Sequence, residues 1–237
     1  MWALKFPLDL DSNIMITSHT IEFLRDLKAN NNKEWFDHNR KRYDITKAEY
    51  LSLAGTLLEK MKKIDPGLEM LTAKECIFRI NRDIRFSADK SPYKTNLGIV
   101  LQPGGKRLNR AAYYFHIEEG ACFAGGGLWM PEGSLLQKVR QEIHYFYPDL
   151  VAILTNQKFK NTYNDLDVEP GQKLTRPPKG YDATDPAIEY IKLKSFTAST
   201  PVADSILTSE KLVNTITEYF EVLKPLIQYI NRGLDAE

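Results

Sequence analysis

The chain has 237 residues, 43% hydrophobic and 27% charged, which is ordinary for a globular protein long enough to bury a sizeable core. Its 32 Lys and Arg against 31 Asp and Glu leave a net charge of +1, so no global basic field draws it to nucleic acid or membrane, and any anion preference is local. Two cysteines, Cys76 and Cys122, exclude a disulfide framework and a four-ligand zinc site. No stretch approaches the roughly 20 apolar residues of a membrane span.

The N-terminal residues Met1 to Asp9 lack the basic, apolar and small-residue segments of a secretory signal. A reduced, cytoplasmic, soluble protein is expected, with residues 1–16 as an extension. Thr17 or Ser18 caps a first helix carrying Ile21, Phe23, Leu24 and Leu27, which stops at Asn30-Asn31-Asn32. A longer helical pattern follows, with Phe36, Asn39, Tyr43, Thr46, Tyr50, Leu53, Leu57, Met61 and Ile64 at steps of three and four. Asp65-Pro66-Gly67 ends it, and Gly55 is placed to bend or divide it. Lys33, Arg40, Lys41 and Lys47 on the opposite face read as an ordinary solvated surface.

Short β-branched and aromatic runs come next, at 75–81, 95–101, 111–117 and 121–128. The links between them are too short for βαβ crossovers, so antiparallel hairpins are predicted. Helical spacing returns over 131–146 and again over 149–154. Residues 156–186 are polar and rich in Pro and Gly, which predicts a long loop that either connects or covers a site. A short helix over 186–193, a strand over 196–202 and a last helix over 209–233, with Pro225 placed to kink it, complete the chain. The predicted fold is a single α+β domain over 1–237, a mainly antiparallel sheet packed by N-terminal and C-terminal helices.

The most informative segment is 79–94, Arg-Ile-Asn-Arg-Asp-Ile-Arg-Phe-Ser-Ala-Asp-Lys-Ser-Pro-Tyr-Lys. Five basic side chains, Arg79, Arg82, Arg85, Lys90 and Lys94, stand among Asp83, Asp89, Asn81 and Tyr93. Arginine offers planar, permanently charged donors suited to carboxylate or phosphate, so these residues form a candidate pocket for a small anionic ligand, phosphorylated ligands included. The bland alternative is an internal ion-pair network in a scaffold or protein-interaction module. A third reading is nucleic-acid binding, with Lys106, Arg107 and Arg110 as a second basic patch.

For acid–base chemistry the candidates are His116, which shares a strand face with Tyr114, and Asp83. Arg176, Lys179 and Tyr181 form a candidate lid. Gly125-Gly126-Gly127 reads as close backbone packing beneath Trp129 in preference to a phosphate loop, because Glu132 follows in the first turn of the next helix. His19, His38 and His144 lack metal-ligand spacing, so no metal is expected, and the residues name no cofactor.

Taken together, Asn31-Asn32-Lys33-Glu34-Trp35-Phe36, the run from Arg79 to Asn96, Tyr113 to Ile117, Gly125 to Trp129 and Arg176 to Tyr181 resemble the domain of unknown function 2461 family. The resemblance covers nearly all of the chain from about residue 20. It implies a single intracellular domain and carries no established substrate or mechanism.

Overall fold

The structure, a computed structural model, describes residues 14–105 and 108–236. Its N-terminal layer is three helices: α1 (Ser18–Ala29), α2 (Lys33–His38) and α3 (Arg40–Ile64). The predicted long helix is divided at Asn39, and α3 runs unbroken through Gly55. Asn39 turns its side chain back, donating from Nδ2 to the Trp35 carbonyl at 2.9 Å, the local competition that makes Asn a helix terminator. Thr17 occupies the cap position of α1, but its hydroxyl donates to Glu49 of α3 at 2.7 Å and makes no capping bond to the helix.

Four strands form one antiparallel sheet in the order β1 (Leu97–Leu101), β2 (Ala112–Ile117), β3 (Phe123–Leu128) and β4 (Phe196–Pro201). Between β3 and β4 lie α4 (Gly133–Tyr145), α5 (Tyr147–Thr155), α6 (Gln157–Tyr163) and α7 (Ile188–Ile191). After β4 come α8 (Asp204–Leu207) and the long α9 (Leu212–Asp235), which passes through Pro225. Alternation decides which side of the sheet is buried. Ile99, Leu101, Tyr113, Phe115, Ala124, Leu128, Phe196 and Ala198 are buried, and the Tyr113 ring lies 5.4 Å from Phe220 of α9. The other face carries Val100, Tyr114, His116, Phe123, Thr197 and Ser199, all partly exposed.

Two expectations are corrected. Residues 75–81 are not a ladder strand: Ala73–Cys76 is a 3-10 turn, closed by reciprocal bonds between Thr72 and Glu75. The extended chain beyond it pairs with β1 in an isolated bridge, Ile77 to Ile99. The 156–186 segment is not all loop, since α6 folds within it and buries Phe159 and Tyr163. At the end of the expected 1–16 extension, Ile16 is fully buried and its N–H donates to the Leu207 carbonyl at 2.9 Å. Residues 1–13 lie outside the described residues.

Candidate functional site: a basic cleft beside an open sheet face

The 79–94 segment leaves the core and returns. Asn81 and Tyr93 form an antiparallel bridge, flanked by Arg82 N–H to the Pro92 carbonyl at 2.9 Å and Lys94 N–H to the Ile80 carbonyl at 2.8 Å. Tyr93 is buried and stacks on Phe36, ring centres 4.0 Å apart. Asn31 clamps its backbone, accepting from Tyr93 N–H at 3.1 Å and donating to its carbonyl at 2.9 Å. Tyr50 of α3 fixes the other side: its hydroxyl donates to the Gly98 carbonyl and accepts from Phe78 N–H. Both bonds are buried or half-buried, and burial drives the phenol's pKa well above its usual value.

This frame sorts the predicted basic residues into two groups. Arg82 and Arg85 are committed inside the loop. Arg82 pairs with Asp89 and donates to the Ser91 carbonyl at 3.1 Å, while Arg85 pairs with Asp83 at 2.7 Å. Asp89 accepts from the Ser91 hydroxyl and N–H and from Arg82, which together lower its pKa to about 2. The Arg85 side chain and N–H hold Asp83 below the usual carboxylate range, so Asp83 is a poor proton acceptor. Lys90 donates to the Ile84 carbonyl at 3.0 Å and lines neither the cleft nor the recess described next.

Arg79, Asn81, Tyr93 and Lys94 do come together, on a cleft of about 750 Å³ between the 77–81 strand-like segment, β1 and the α2–α3 corner. Its cations are Lys33, Arg40, Lys47, Lys74, Arg79 and Lys94, against the single carboxylate Asp37, which pairs with Lys33. Among the described residues, Lys47, Lys74, Arg79 and Lys94 have no carboxylate within ion-pair distance. The Lys94 ammonium sits 4.8 Å over the Phe78 ring, and burial together with the nearby Arg79 charge lowers its pKa. Lys33 and Arg40 are answered by Asp37 and Asp44, and the other four cations leave the cleft with an excess of positive charge, a condition that favours entry of an anion.

A smaller recess of about 370 Å³ adjoins the cleft through Phe78, Lys94 and Asn96, and adds Arg82, Asp83 and Tyr114. Here His116 becomes legible as part of a line. The Tyr114 hydroxyl lies 3.1 Å from His116 Nδ1, and His116 Nε2 lies 3.2 Å from Glu118, which also accepts from Lys28 at 2.9 Å. The network assigns the proton to Nε2, donating to Glu118, and leaves Nδ1 to accept from Tyr114. Burial raises the Tyr114 pKa, so the phenol stays neutral and acts as a donor. For Glu118, burial alone would raise the pKa, but the hydrogen bonds from Lys28 and His116 outweigh it and the carboxyl stays ionised. Phe123 stacks on the imidazole at 4.9 Å and fixes its plane.

The remaining predicted residues lie elsewhere. Tyr181 packs edge-on against His144 of α4 and accepts from Gln137 at 3.2 Å, while Arg176 and Lys179 are exposed on the same loop. None of the three lines the basic cleft or the recess. Gly125–Gly127 lie inside β3, not in a loop: a Cβ on Gly126 would come 2.2 Å from the Ala112 carbonyl oxygen. Arg110 is bound to Asp235, and Lys106 and Arg107 fall outside the described residues. Both cysteines are buried, each thiol donating to a backbone carbonyl, Cys76 to Thr72 and Cys122 to Glu118, and burial raises the Cys122 thiol to about 11. No group of three metal-ligating side chains occurs among the described residues, and no described helix is long and apolar enough to cross a membrane.

Sequence reasoning missed Lys47 and Lys74 as site residues, and with them the role of Lys33 and Arg40. Lys33, Arg40 and Lys47 read as a solvated helix face and Lys74 carries no motif, because nothing local reveals that the chain returns at 77–81 to wall that face in. Comparison with curated proteins and with solved structures returns no match. The family model described as conserved hypothetical protein (DUF2461) matches residues 19–229, and the chain belongs to that family.

Proposed function

We propose that this protein binds a small anionic ligand, with phosphorylated compounds as the leading class, in the cleft walled by Arg79 and Lys94. The observation that carries the reading is that Lys47, Lys74, Arg79 and Lys94 line one cleft without a carboxylate partner among the described residues. Like charges held together in a folded protein cost stability unless a ligand neutralises them. Arg79 supplies a planar fork for two oxygens, Lys94 and Lys74 supply point charges, and Asn81 and Asn96 supply neutral donors. The low cysteine count, two in 237 residues, fits a reducing compartment, the cytoplasm.

A second role at the same site, proton transfer to or from the bound ligand, is favoured by the Tyr114–His116–Glu118 line at the edge of the recess. Its hydroxyl is oriented by a base that is itself oriented by a carboxylate, the arrangement that acid–base catalysis requires. Calorimetric titration with inorganic phosphate, pyrophosphate and nucleoside phosphates tests the binding reading. At least one is expected to bind saturably, with affinity reduced tenfold or more by Arg79→Ala and by Lys94→Met. Equal heats for wild type and both variants across the panel would overturn it.

A further inference from the structure

The open face of the sheet carries a second recess of opposite electrical character. It is a groove of about 1420 Å³ running over β1 to β4, bordered by Glu132, Asp167, Glu169 and Asp204. None of these four carboxylates is in an ion pair among the described residues. The one described cation on the groove, Arg110, is already held by Asp235. Trp129 and Met130 stand 55% and 51% exposed at its rim, an apolar platform with no covering partner among the described residues.

The groove also holds a buried donor without an acceptor. Gln102 is 8% exposed and lines the groove, yet its Nε2 makes no hydrogen bond among the described residues. A buried donor left unsatisfied loses its hydration without replacement, so the position is one at which an entering carbonyl restores a lost interaction. Gly126 and Gly127 line the floor with backbone, while Tyr114 and Phe123 wall it with rings. Strands of five or six residues make the floor roughly 20 Å long, the span of about six extended residues.

We infer that this groove is a docking site for an extended peptide segment of another protein, one bearing lysine or arginine beside an apolar residue. The peptide backbone supplies a carbonyl to Gln102. Its cationic side chain lies over Trp129 toward Glu132 and Glu169, combining cation–π attraction with charge pairing. Its apolar side chain covers Met130. The site is distinct from the basic cleft, which Phe78 also lines.

The test uses the full chain and two eight-residue probes, one alternating lysine with leucine and one alternating glutamate with leucine. Calorimetry is expected to show saturable binding of the lysine peptide and at least tenfold weaker binding of the glutamate peptide. Glu169→Lys and Trp129→Ala, both changes at the surface, each weaken the lysine peptide at least tenfold, whereas Arg79→Ala changes it less than twofold. Equal binding of both peptides, or lysine-peptide binding indifferent to Glu169→Lys and Trp129→Ala, overturns the inference. So does binding that emerges only when residues 1–13 are deleted, which would assign the groove to the chain's own N-terminal segment with its Trp2, Lys5 and Phe6.

Discussion

The Lys94 ammonium rests 4.8 Å from the centre of the Phe78 ring, with the Arg79 charge close enough to disfavour its protonation. Phe78 is itself fixed by Tyr50, so the lysine is held in the cleft by a ring whose backbone is pinned to α3 and β1.

The first prediction concerns protons. The pKa of Lys94 is lowered in the folded protein relative to 10.5, so below 10.5 an alkaline window exists in which part of the lysine is neutral. A bound anion favours the charged form and raises that pKa again, so binding takes up protons in that window. Titrations with pyrophosphate at alkaline pH, in buffers of differing ionisation enthalpy, are expected to show this uptake in wild type and none in Lys94→Met. Proton release, or uptake unchanged by the substitution, would count against the cleft as the binding site.

Arg82→Ala separates loop architecture from binding. Arg82 ties Asp89, the Ser91 carbonyl and Ser87 together, so its removal is expected to speed hydrogen exchange and proteolysis across 83–91. Anion affinity should fall less than threefold, because the residue faces the adjoining recess and its charge is already neutralised by Asp89. A tenfold loss of affinity would move the binding site from Arg79 toward Arg82.

The same loop should open in acid. Asp89 has a folded pKa of about 2 against an unfolded value of 3.8. A depressed carboxylate contributes stability that is complete above 3.8 and is lost as the pH falls through about 2. Hydrogen exchange in the loop, referred to that of the sheet, is expected to rise over that interval. In Asp89→Asn the loop should already be open at neutral pH and show no acid step.

Tyr50→Phe removes one hydroxyl and two hydrogen bonds, leaving the Gly98 carbonyl and Phe78 N–H short of a partner. A loss of about 1–3 kcal/mol in urea denaturation is expected, together with weaker anion binding as Phe78 and Lys94 lose their fixed position. Gly126→Ala acts on the sheet directly: the added Cβ meets the Ala112 carbonyl oxygen at 2.2 Å and Leu223 Cδ2 at 2.8 Å. Its cost is on the order of 3 kcal/mol, read from the same denaturation curve.

Much of the fold was legible because it rests on periodicity. The three-and-four spacing of Phe23, Leu24 and Leu27, and of Leu212, Ile216, Phe220 and Leu223, locates α1 and α9, and the β1–β2–β3 meander follows from short turns between β-branched and aromatic runs. The stretch at 75–81 misled because Cys76, Phe78 and Ile80 alternate as in a strand, while the Thr72–Glu75 capping box, a local signal three residues apart, decides its start. In α6 only Phe159 and Tyr163 are apolar enough to mark a buried face, so the polar residues around them read as loop. The site was half legible. Arg79 and Lys94 are conspicuous in the sequence, but so are Arg82 and Arg85, and only the fold distinguishes cations answered by a nearby aspartate from cations left facing open space.

Phe78 walls the basic cleft, the small recess beside Tyr114 and the acidic groove over the sheet. One aromatic ring is thus a common partition between an anion-attracting chamber and a cation-attracting one. A ligand that displaces Phe78 in one chamber also changes a wall of the other. Thermodynamic reciprocity then requires the converse with the same factor: a phosphate titration repeated with the groove filled, and a peptide titration repeated with the cleft filled, should report a single coupling constant.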